Sequence, residues 1–280
     1  ICIYRVGMGV RGINMFNNIL RHTLWAVSIS FMLLNTAYAK TEKEPMWPVL
    51  KEIYFDNKTI LTDADDWLVL EAPSRAEDAA IVPLTLKSLK PQTAESYIKN
   101  IHIIIDDNPD PYSANFHLTP AMEQVDLTFR MRFQQYSNVR AIVEMNDGTL
   151  HMVSRFVKAS GGCSAPVQKD PEAVKSRLGK MLIRMRKPEL GNDVTAQVMI
   201  SHPNYNGLQF DQETRRYIPA HYVKTMSVNY ADQPLFNVDM GISFSEDPSV
   251  HFTFKPTKSG VLKATVIDSK ETTYTADKTI

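Results

Sequence analysis

Cysteine is the scarcest reactive residue in this chain of 280 amino acids. Only Cys2 and Cys163 are present, and Cys2 lies in a segment that we expect to be removed on export. Exported proteins use cysteines mainly in pairs, as structural disulfides. One remaining cysteine excludes an internal disulfide framework and indicates either an intermolecular disulfide or a free reactive thiol.

The N-terminal segment has the features of a secretory signal peptide. After Met15 the run 24–34 is apolar, and Ala37 and Ala39 are the small residues that precede a cleavage site. The apolar run has about half of the roughly 20 residues that a membrane-spanning helix needs. We therefore expect residues 1–39 to be over-extended upstream sequence plus a signal peptide, both absent from a mature periplasmic protein.

The chain also lacks an excess of charge of one sign. Removing residues 1–39 leaves 28 basic and 31 acidic side chains, without the basic surface that nucleic-acid binding requires. No later apolar stretch is long enough to span a membrane. Neither a glycine-rich phosphate loop after a strand nor a G-x-S-x-G elbow is present. We predict no nucleic-acid partner, no membrane span and no cofactor.

Alternation of apolar and polar residues predicts a β-rich first half. Residues 46–55 have helical periodicity and predict a short N-terminal helix. In 125–133 every second residue is apolar, which is typical of a half-buried strand. Asn146-Asp147-Gly148 predicts a tight hairpin between two further strands. Two more predicted strands lie at 81–89, where Pro83 weakens the pattern, and at 98–106.

The second half repeats this pattern after a break. Asp170 and Pro171 predict the N-cap and first turn of a short helix. Four alternating segments follow as predicted strands: 180–186, 194–200, 250–256 and 261–268. The pattern predicts two antiparallel β-sandwiches. We expect a first sandwich domain at 40–162, a cysteine-bearing flexible linker at 163–175 and a second sandwich domain at 176–280.

Cys163 lies at the predicted domain boundary, among small residues. Gly161 and Gly162 precede it and Ser164 follows it, a composition that predicts a flexible arm with an accessible sulfur. A buried, inert cysteine is the alternative. A nucleophilic role would need a base or cation beside the sulfur, and the sequence positions neither Lys158 nor His151 there.

Two other groups of residues are candidates for metal binding. Asp106, Asp107, Asn108 and Asp110 could coordinate calcium, but their spacing matches no dedicated calcium loop, and these residues are also common in turns. The histidines after residue 39 are scattered, without the spacing of a zinc site. We therefore predict no metal ligand, and we interpret the histidines at 202 and 221 as turn and strand-end residues.

Several long segments resemble a known pair of families. The first half resembles SoxY, the sulfur-carrier subunit of bacterial thiosulfate oxidation, in LEAPSRAEDAAIVPLTL, IIIDDNPDPYSANF and VRAIVEMNDGTLHMVSRFVKASGGC. The second half resembles its partner SoxZ in VMISHPNYNGL, YIPAHYVKTMSV and VHFTFKPTKSGVLKATVID. The order and the fusion resemble the SoxYZ-like carriers associated with quinoprotein dehydrogenases.

The resemblance implies a fold and a site. It implies an all-β protein of two immunoglobulin-like sandwiches, and it implies that Cys163 is the residue that carries cargo. In separate SoxY chains the cysteine lies in a Gly-Gly-Cys-Gly-Gly motif at a free C-terminus. Here Ser164, Ala165 and Pro166 follow instead, and a second domain is attached. The arm is therefore expected to be a strap held at both ends.

Three functions remain open at this point. The first is a non-enzymatic periplasmic carrier that holds a sulfur-containing intermediate on Cys163 and presents it to a quinoprotein dehydrogenase, a cytochrome c or Sox-type enzymes. The second is an enzyme that uses Cys163 as its nucleophile. The third is an adaptor that docks onto a dehydrogenase or cytochrome, in which the thiol is incidental.

Overall fold

The computed structural model describes residues 45–166, 171–186 and 188–280. The expected signal peptide at 1–39 and the predicted N-cap Asp170 lie outside the described residues. Within the described part, no helix is long and apolar enough to cross a membrane.

Two short helices flank the strands of the first half. Helix α1 spans Trp47–Phe55, has Pro48 in its first turn and is followed by the C-cap residue Asp56, whose φ of 48° is left-handed. Its buried side chains, Leu50 and Phe55, pack in a small apolar cluster with Ile104, Ile142, Leu150 and Met152. Helix α2 spans Pro171–Arg177. The N-terminal helix predicted over 46–55 is confirmed.

Sixteen strands are present in the described residues. Those of the first half are β1 (Leu68–Glu71), β2 (Val82–Ser88), β3 (Ile98–Ile105), β4 (Tyr112–Leu118), β5 (Asp126–Met131), β6 (Ser137–Met145) and β7 (Leu150–Val157). Those of the second half are β8 (Met181–Arg186), β9 (Val194–Ile200), β10 (Phe210–Asp211), β11 (Arg216–Tyr217), β12 (Val223–Tyr230), β13 (Gln233–Met240), β14 (Ser249–Phe254), β15 (Val261–Asp268) and β16 (Thr273–Thr279).

Both main sheets contain strands from both halves of the chain. The six-stranded sheet has the order β1-β2-β5-β14-β9-β8, and the eight-stranded sheet has the order β16-β15-β12-β13-β4-β3-β6-β7. Strands β10 and β11 form a separate hairpin. The halves meet where β5 pairs with β14 and where β4 pairs with β13, both antiparallel. Two sandwich-like sets of strands therefore share continuous sheets.

One apolar core runs through both halves. Phe129 of β5 lies 4.9 Å from Phe116 and 5.8 Å from Phe244, measured between ring centroids. Phe116 belongs to the first half and Phe244 to the second, so the aromatic rings bridge the two sets of strands. Burying aromatic side chains of this size dominates the energetics of a core. The halves are thus joined by packing as well as by backbone pairing.

The predicted strands agree with the structure, and the predicted all-β class with two sandwiches is confirmed. Gly148 takes a φ of 86° in the predicted hairpin, a conformation that glycine adopts without steric cost. Pro83 is tolerated inside β2 because β1 pairs with that strand only as far as Thr85. The missing N–H of Pro83 therefore costs no bond on that side.

The continuous core predicts that the two halves unfold together. Phe129→Ala, at a position 1% exposed, should lower the free energy of unfolding by about 3–5 kcal/mol and leave a single transition. The matched control is Phe156→Ala on β7, where the side chain is 50% exposed and the expected change is within about 0.5 kcal/mol. Urea unfolding followed by circular dichroism and by tryptophan fluorescence checks this. Two separated transitions would contradict a shared core.

Candidate functional site

The segment after β7 carries Cys163 back across the end of the first sandwich. Lys158 first pairs with residues 74–76, donating its N–H to the carbonyl of Ser74 at 3.0 Å and accepting from the N–H of Ala76 at 3.2 Å. Gly161 then turns the chain with a φ of 85°, in the left-handed region that favours glycine. The turn directs the next three residues along the loop that follows β5.

Backbone and side-chain hydrogen bonds hold this segment in place. The N–H groups of Gly161 and Gly162 donate to the carbonyls of Gln134 and Phe133, at 3.0 and 2.8 Å. The Cys163 N–H donates to Oε1 of Gln134 at 3.1 Å, and the Cys163 carbonyl accepts from Nδ2 of Asn206 at 2.7 Å. Asn206 is buried and belongs to the second half. The cysteine is therefore held by both halves of the chain.

Gly162 has a packing role that its sequence context does not reveal. A Cβ at this position would lie 2.0 Å from the backbone oxygen of Ala79, a distance that real Cβ atoms do not show. The close approach of two backbones therefore requires glycine at 162, whatever its freedom of motion. Only the left-handed turn at Gly161 uses the conformational freedom on which the flexible-arm prediction was based.

The thiol is buried, so the prediction of an accessible sulfur is wrong for this structure. Cys163 is 2% exposed, whereas Ser164 beside it is exposed. Burial raises the pKa of Cys163 to about 11 from its ordinary value of 9.0, and the nearby Arg132 guanidinium lowers it only in part. The physical reason for the error is the packing at Gly162 and the bond from Asn206. Neither contact is visible in the local sequence.

No base is in place to activate this sulfur. Among the described residues, no histidine or lysine forms a hydrogen bond with the Cys163 thiol. Nδ1 of His151 instead lies 2.7 Å from Oδ1 of Asp63. A nucleophilic cysteine needs a lowered pKa and a positioned base. The surroundings of Cys163 provide neither a lowered pKa nor a positioned base.

Arg132 is a buried charged group of this region. It follows β5, is 3% exposed, and its Nη1 donates to the carbonyls of Asn204 and Phe244 at 2.9 and 2.6 Å. A third, longer contact of 3.5 Å reaches the carbonyl of Ile242. All three carbonyls belong to the second half, so one guanidinium ties the end of β5 to two loops across the junction. Burial lowers the pKa of Arg132.

A cavity of about 270 Å³ lies beside this cysteine-bearing segment. Gly162, Arg132 and Glu246 are among its lining residues, together with Tyr205 and Gln209 of the second half. Drug-sized ligands occupy cavities of about 300–1,000 Å³. The volume therefore suits a smaller molecule, and both halves of the chain contribute to its wall.

The structure brings together three potential metal ligands that the sequence leaves apart. Nε2 of His221 lies 2.9 Å from Oδ2 of Asp268, and Nε2 of His202 lies 3.7 Å from the same oxygen. However, Nδ1 of His202 accepts the N–H of Asn204 at 3.1 Å. The neutral ring therefore carries its proton on Nε2 and offers no lone pair towards the cluster. Of the two rings, only His221 is hydrogen-bonded to the Asp268 carboxylate, whereas Nε2 of His202 is buried and has no hydrogen-bond partner in the described part of the chain.

In the acidic turn at 106–110, the side chains of Asp106 and Asn108 are hydrogen-bonded to other protein groups. Asp106 accepts from the guanidinium of Arg140 at 2.7 to 3.1 Å. The Asn108 amide donates to the carbonyl of Arg132 at 2.7 Å and to Oγ of Ser243 at 3.0 Å. These contacts match the interpretation of the segment as a structural turn, and Asn108 helps to position the loop that carries Arg132.

Two family models match the chain, one to each half. Residues 51–163 match the family described as sulfur oxidation protein SoxY, and residues 183–279 match the one described as sulphur oxidation protein SoxZ. The chain is a fusion of a SoxY domain and a SoxZ domain. The SoxY match ends on Cys163 itself. The resemblance to the two families is thereby confirmed, and the quinoprotein-associated subtype stays a prediction.

No curated protein matches the chain, while solved structures give weak likenesses. The sulfur carrier protein SoxY from Chlorobium limicola f thiosulfatophilum is 27% identical over 41% of this chain and 91% of its own, with a TM-score of 0.33. A superoxide reductase (neelaredoxin) from Ignicoccus hospitalis is 17% identical over 36% and 95%, with a TM-score of 0.31. Fibronectin(III)-like modules of Clostridium thermocellum CbhA are 7% identical over 76% and 90%, with a TM-score of 0.22. Such scores establish no shared fold, so the two family models alone assign the domains.

The raised pKa of Cys163 predicts a specific loss of stability at alkaline pH. The unfolded thiol loses its proton near pH 9, whereas the folded thiol keeps it until about pH 11. Stability from this group is therefore complete below pH 9 and is lost as the pH rises towards 11. Relative to Cys163→Ala, the native protein should lose about 2 kcal/mol of unfolding free energy across this interval.

Denaturant unfolding of both proteins at pH 8, 9, 10 and 11 measures this difference, because other titrating groups cancel between them. Ser164→Ala, which alters an exposed neighbour, is the control and should follow the native protein. Parallel pH profiles of the native protein and the Cys163→Ala variant would contradict a buried thiol.

Proposed function

We propose that this SoxY–SoxZ fusion is a non-enzymatic, exported sulfur carrier that holds its cargo covalently on Cys163. The observation that supports this most strongly is the position of the cysteine. Cys163 is the last residue of the SoxY match, and its carbonyl accepts a hydrogen bond from Asn206 of the SoxZ domain. Among the described residues it is the one free cysteine. Both domains can therefore respond to what this residue carries.

The proposal requires two positions for the cysteine-bearing segment. In the closed position described here the thiol is covered. In the open position, residues 161–166 leave the loop after β5 and expose the sulfur to a partner. The closed position is maintained by a few neutral hydrogen bonds, each worth about 1 kcal/mol net. Segments held in this way open locally far more often than the whole domain unfolds.

Cargo itself favours the open position. An adduct adds at least one heavy atom to a side chain that is 2% exposed, and overfilling a packed site costs roughly 1–3 kcal/mol. Loading therefore displaces the segment, while unloading lets it return. In this scheme Gly161, Gly162 and Ser164 act as the hinge and arm of the strap.

Loading by an S–S bond is an oxidation that needs a partner. Joining the Cys163 thiol to a second thiol-like sulfur releases two protons and two electrons, so the loading step needs an electron acceptor. A periplasmic redox enzyme must take them, such as a cytochrome c or a Sox-type enzyme. Association with a quinoprotein alcohol dehydrogenase is the form of this partnership that the sequence resemblance favours.

Burial of the thiol also supports a second candidate function, that of an adaptor. A cysteine that is covered, has a raised pKa and lacks a base is typical of an inert structural residue. Under this alternative the fused domains dock onto a dehydrogenase or a cytochrome, and Cys163 contributes only packing. The two candidates differ in whether the sulfur is ever modified and whether function depends on it.

Intact-mass spectrometry of the protein purified from periplasm tests the carrier proposal. We expect a fraction with added mass that maps to Cys163 and is removed by a reducing agent. In a strain that lacks this protein, the Cys163→Ser variant should not restore growth, whereas the Ser164→Ala variant, altered at the next position, should restore it. Only the unmodified mass under every growth condition, together with full activity of Cys163→Ser, would favour the adaptor.

Gln134 gives a separate test of the opening step. Its side chain accepts from the Cys163 N–H and donates to Oγ of Ser164 at 3.1 Å. Gln134→Ala removes both contacts and should speed alkylation of Cys163 at pH 8 by about five- to tenfold. Gln233→Ala, at an exposed position, is the control. An unchanged rate in Gln134→Ala would contradict opening of this segment as the route to the thiol.

A further inference from the structure

His202 is a fully buried histidine whose two ring nitrogens have different surroundings. Its Nδ1 accepts the N–H of Asn204 at 3.1 Å, so the neutral ring carries its proton on Nε2. Among the described residues, this Nε2 has no hydrogen-bond partner, and it lies 3.7 Å from Oδ2 of Asp268. A second proton must therefore go to Nδ1, at the place where the Asn204 N–H now points.

The charged form of His202 does not fit this arrangement. A proton on Nδ1 would face the N–H of Asn204, so two donors would meet across the 3.1 Å that now separates a donor from an acceptor. The ring is closed off from water, so its new N–H finds an acceptor only if the ring and the loop at 202–206 leave their places. An unsatisfied buried donor and an isolated buried charge are both costly. Protonation of His202 and the observed position of the loop therefore exclude each other.

Three ionisable side chains act on His202 from neighbouring elements. The ring of His221, just before β12, lies 4.6 Å away between centroids. Asp268 ends β15, and Asp247, just before β14, accepts the backbone N–H of His202 at 3.1 Å. Burial is the largest influence and, with His221, lowers the pKa of His202 to about 4 from its ordinary value of 6.5, although both carboxylates act in the opposite direction.

Both carboxylates are engaged with other donors, which limits what they offer to a charged His202. Oδ2 of Asp268 accepts from Nε2 of His221 at 2.9 Å and from the hydroxyl of Tyr274 at 3.2 Å. The two oxygens of Asp247 accept from Nη1 of Arg177 in α2 at 2.6 and 2.7 Å. These contacts keep the His202 ring neutral for as long as the loop at 202–206 is in place.

The same loop holds the cysteine-bearing segment from the SoxZ side. Asn206, four residues after His202, donates from Nδ2 to the Cys163 carbonyl at 2.7 Å. Between them, the Asn204 carbonyl accepts from Nη1 of Arg132 at 2.9 Å. Displacement of residues 202–206 would therefore withdraw the contact from Asn206 to Cys163. In the reverse direction, release of Cys163 removes one of the bonds that fix this loop.

We propose that His202 makes opening of the cysteine-bearing segment depend on pH, so that acid conditions expose the thiol of Cys163. The inference rests on the closed and open positions of the proposed carrier function. In the closed position the neutral ring accepts from Asn204, and Asn206 holds Cys163. In the open position the loop at 202–206 is displaced and His202 takes up a proton from water. Proton binding therefore favours the open position.

Proton linkage gives the direction and the size of the effect. An opened His202 regains its ordinary pKa of 6.5, whereas the closed one has a pKa of about 4. Between these values only the open position binds the proton, so its population rises as the pH falls, by up to about tenfold per pH unit. Relative to pH 7.5, opening should be about tenfold more frequent at pH 5.5 and about 70-fold more frequent at pH 4.5.

Labelling of Cys163 in the mature protein with 4,4′-dithiodipyridine, which reacts with thiols in acid solution, measures the opening. The rate at pH 4.5, 5.5, 6.5 and 7.5 is divided by the rate of the urea-unfolded protein at the same pH, which removes the pH dependence of the thiol and of the reagent. We expect this ratio to rise about tenfold from pH 7.5 to 5.5 and to respond little to low concentrations of urea. A ratio that stays flat, or one that follows global unfolding, would overturn the proposal.

A variant that does not titrate assigns the effect to His202. In His202→Asn the amide oxygen takes the place of Nδ1 as acceptor for the Asn204 N–H, and the ratio should change less than about twofold over the same pH range. His251→Gln, at an exposed position of β14, is the matched control and should keep the native slope. A native slope in His202→Asn would overturn the proposal.

Because His202 is buried, His202→Asn could fail to fold, and a second measurement uses the native protein alone. Nuclear magnetic resonance follows the ring of His202 and the amide of Asn204 from pH 7.5 to 3.5. We expect both to shift with one midpoint near pH 4. Titration of His202 near pH 6.5 with an unchanged Asn204 amide would show that the charged ring fits the closed loop, which contradicts the proposal.

The results for the two proposals can be separated. Labelling that rises in acid and depends on His202, together with an unmodified thiol in protein from periplasm, would leave the pH dependence standing and remove the carrier function. An adduct on Cys163 in the periplasm, together with labelling that does not depend on pH, would do the opposite.

Discussion

The contact on which this structure depends is the one between the Arg132 guanidinium and the carbonyl oxygens of the SoxZ domain. It places a charge at the point where the two domains meet and where both main sheets pass from one to the other. A buried charge is stable only when its donors are satisfied. The loops that carry Asn204 and Phe244 are therefore held in place. The same loops position Asn206, the wall of the cavity and the surroundings of Cys163.

That junction explains how the thiol of Cys163 is covered. Gln134 and Asn206 hold the cysteine from opposite domains, and under the proposed carrier function these two contacts would return it to the same position after each release. Burial keeps the thiol protonated and unreactive. Under the proposed carrier function, reactivity would be controlled by opening of the segment instead of by a base beside the thiol.

The sequence predicts the elements well and their junction poorly. The period of two in β5 and the turn at Gly148 depend on neighbouring residues, so they are readable directly. Pairing of β4 with β13 joins positions more than a hundred residues apart, and no local pattern encodes it. The role of Gly162 is also set by a distant contact. Glycine is required there because a Cβ would overlap the backbone of Ala79. Burial of Cys163 depends on Asn206, which lies 43 residues away.

The account stands on a thiol that is covered at rest and exposed without unfolding of the sandwiches. Native-state hydrogen exchange of the Gly162 and Cys163 amides measures this most directly, with the amide of Ile103 in the core strand β3 as the reference. We predict that the two loop amides exchange through an opening that costs far less free energy than global unfolding and barely responds to low concentrations of denaturant. Exchange of all three amides only with global unfolding would contradict the account.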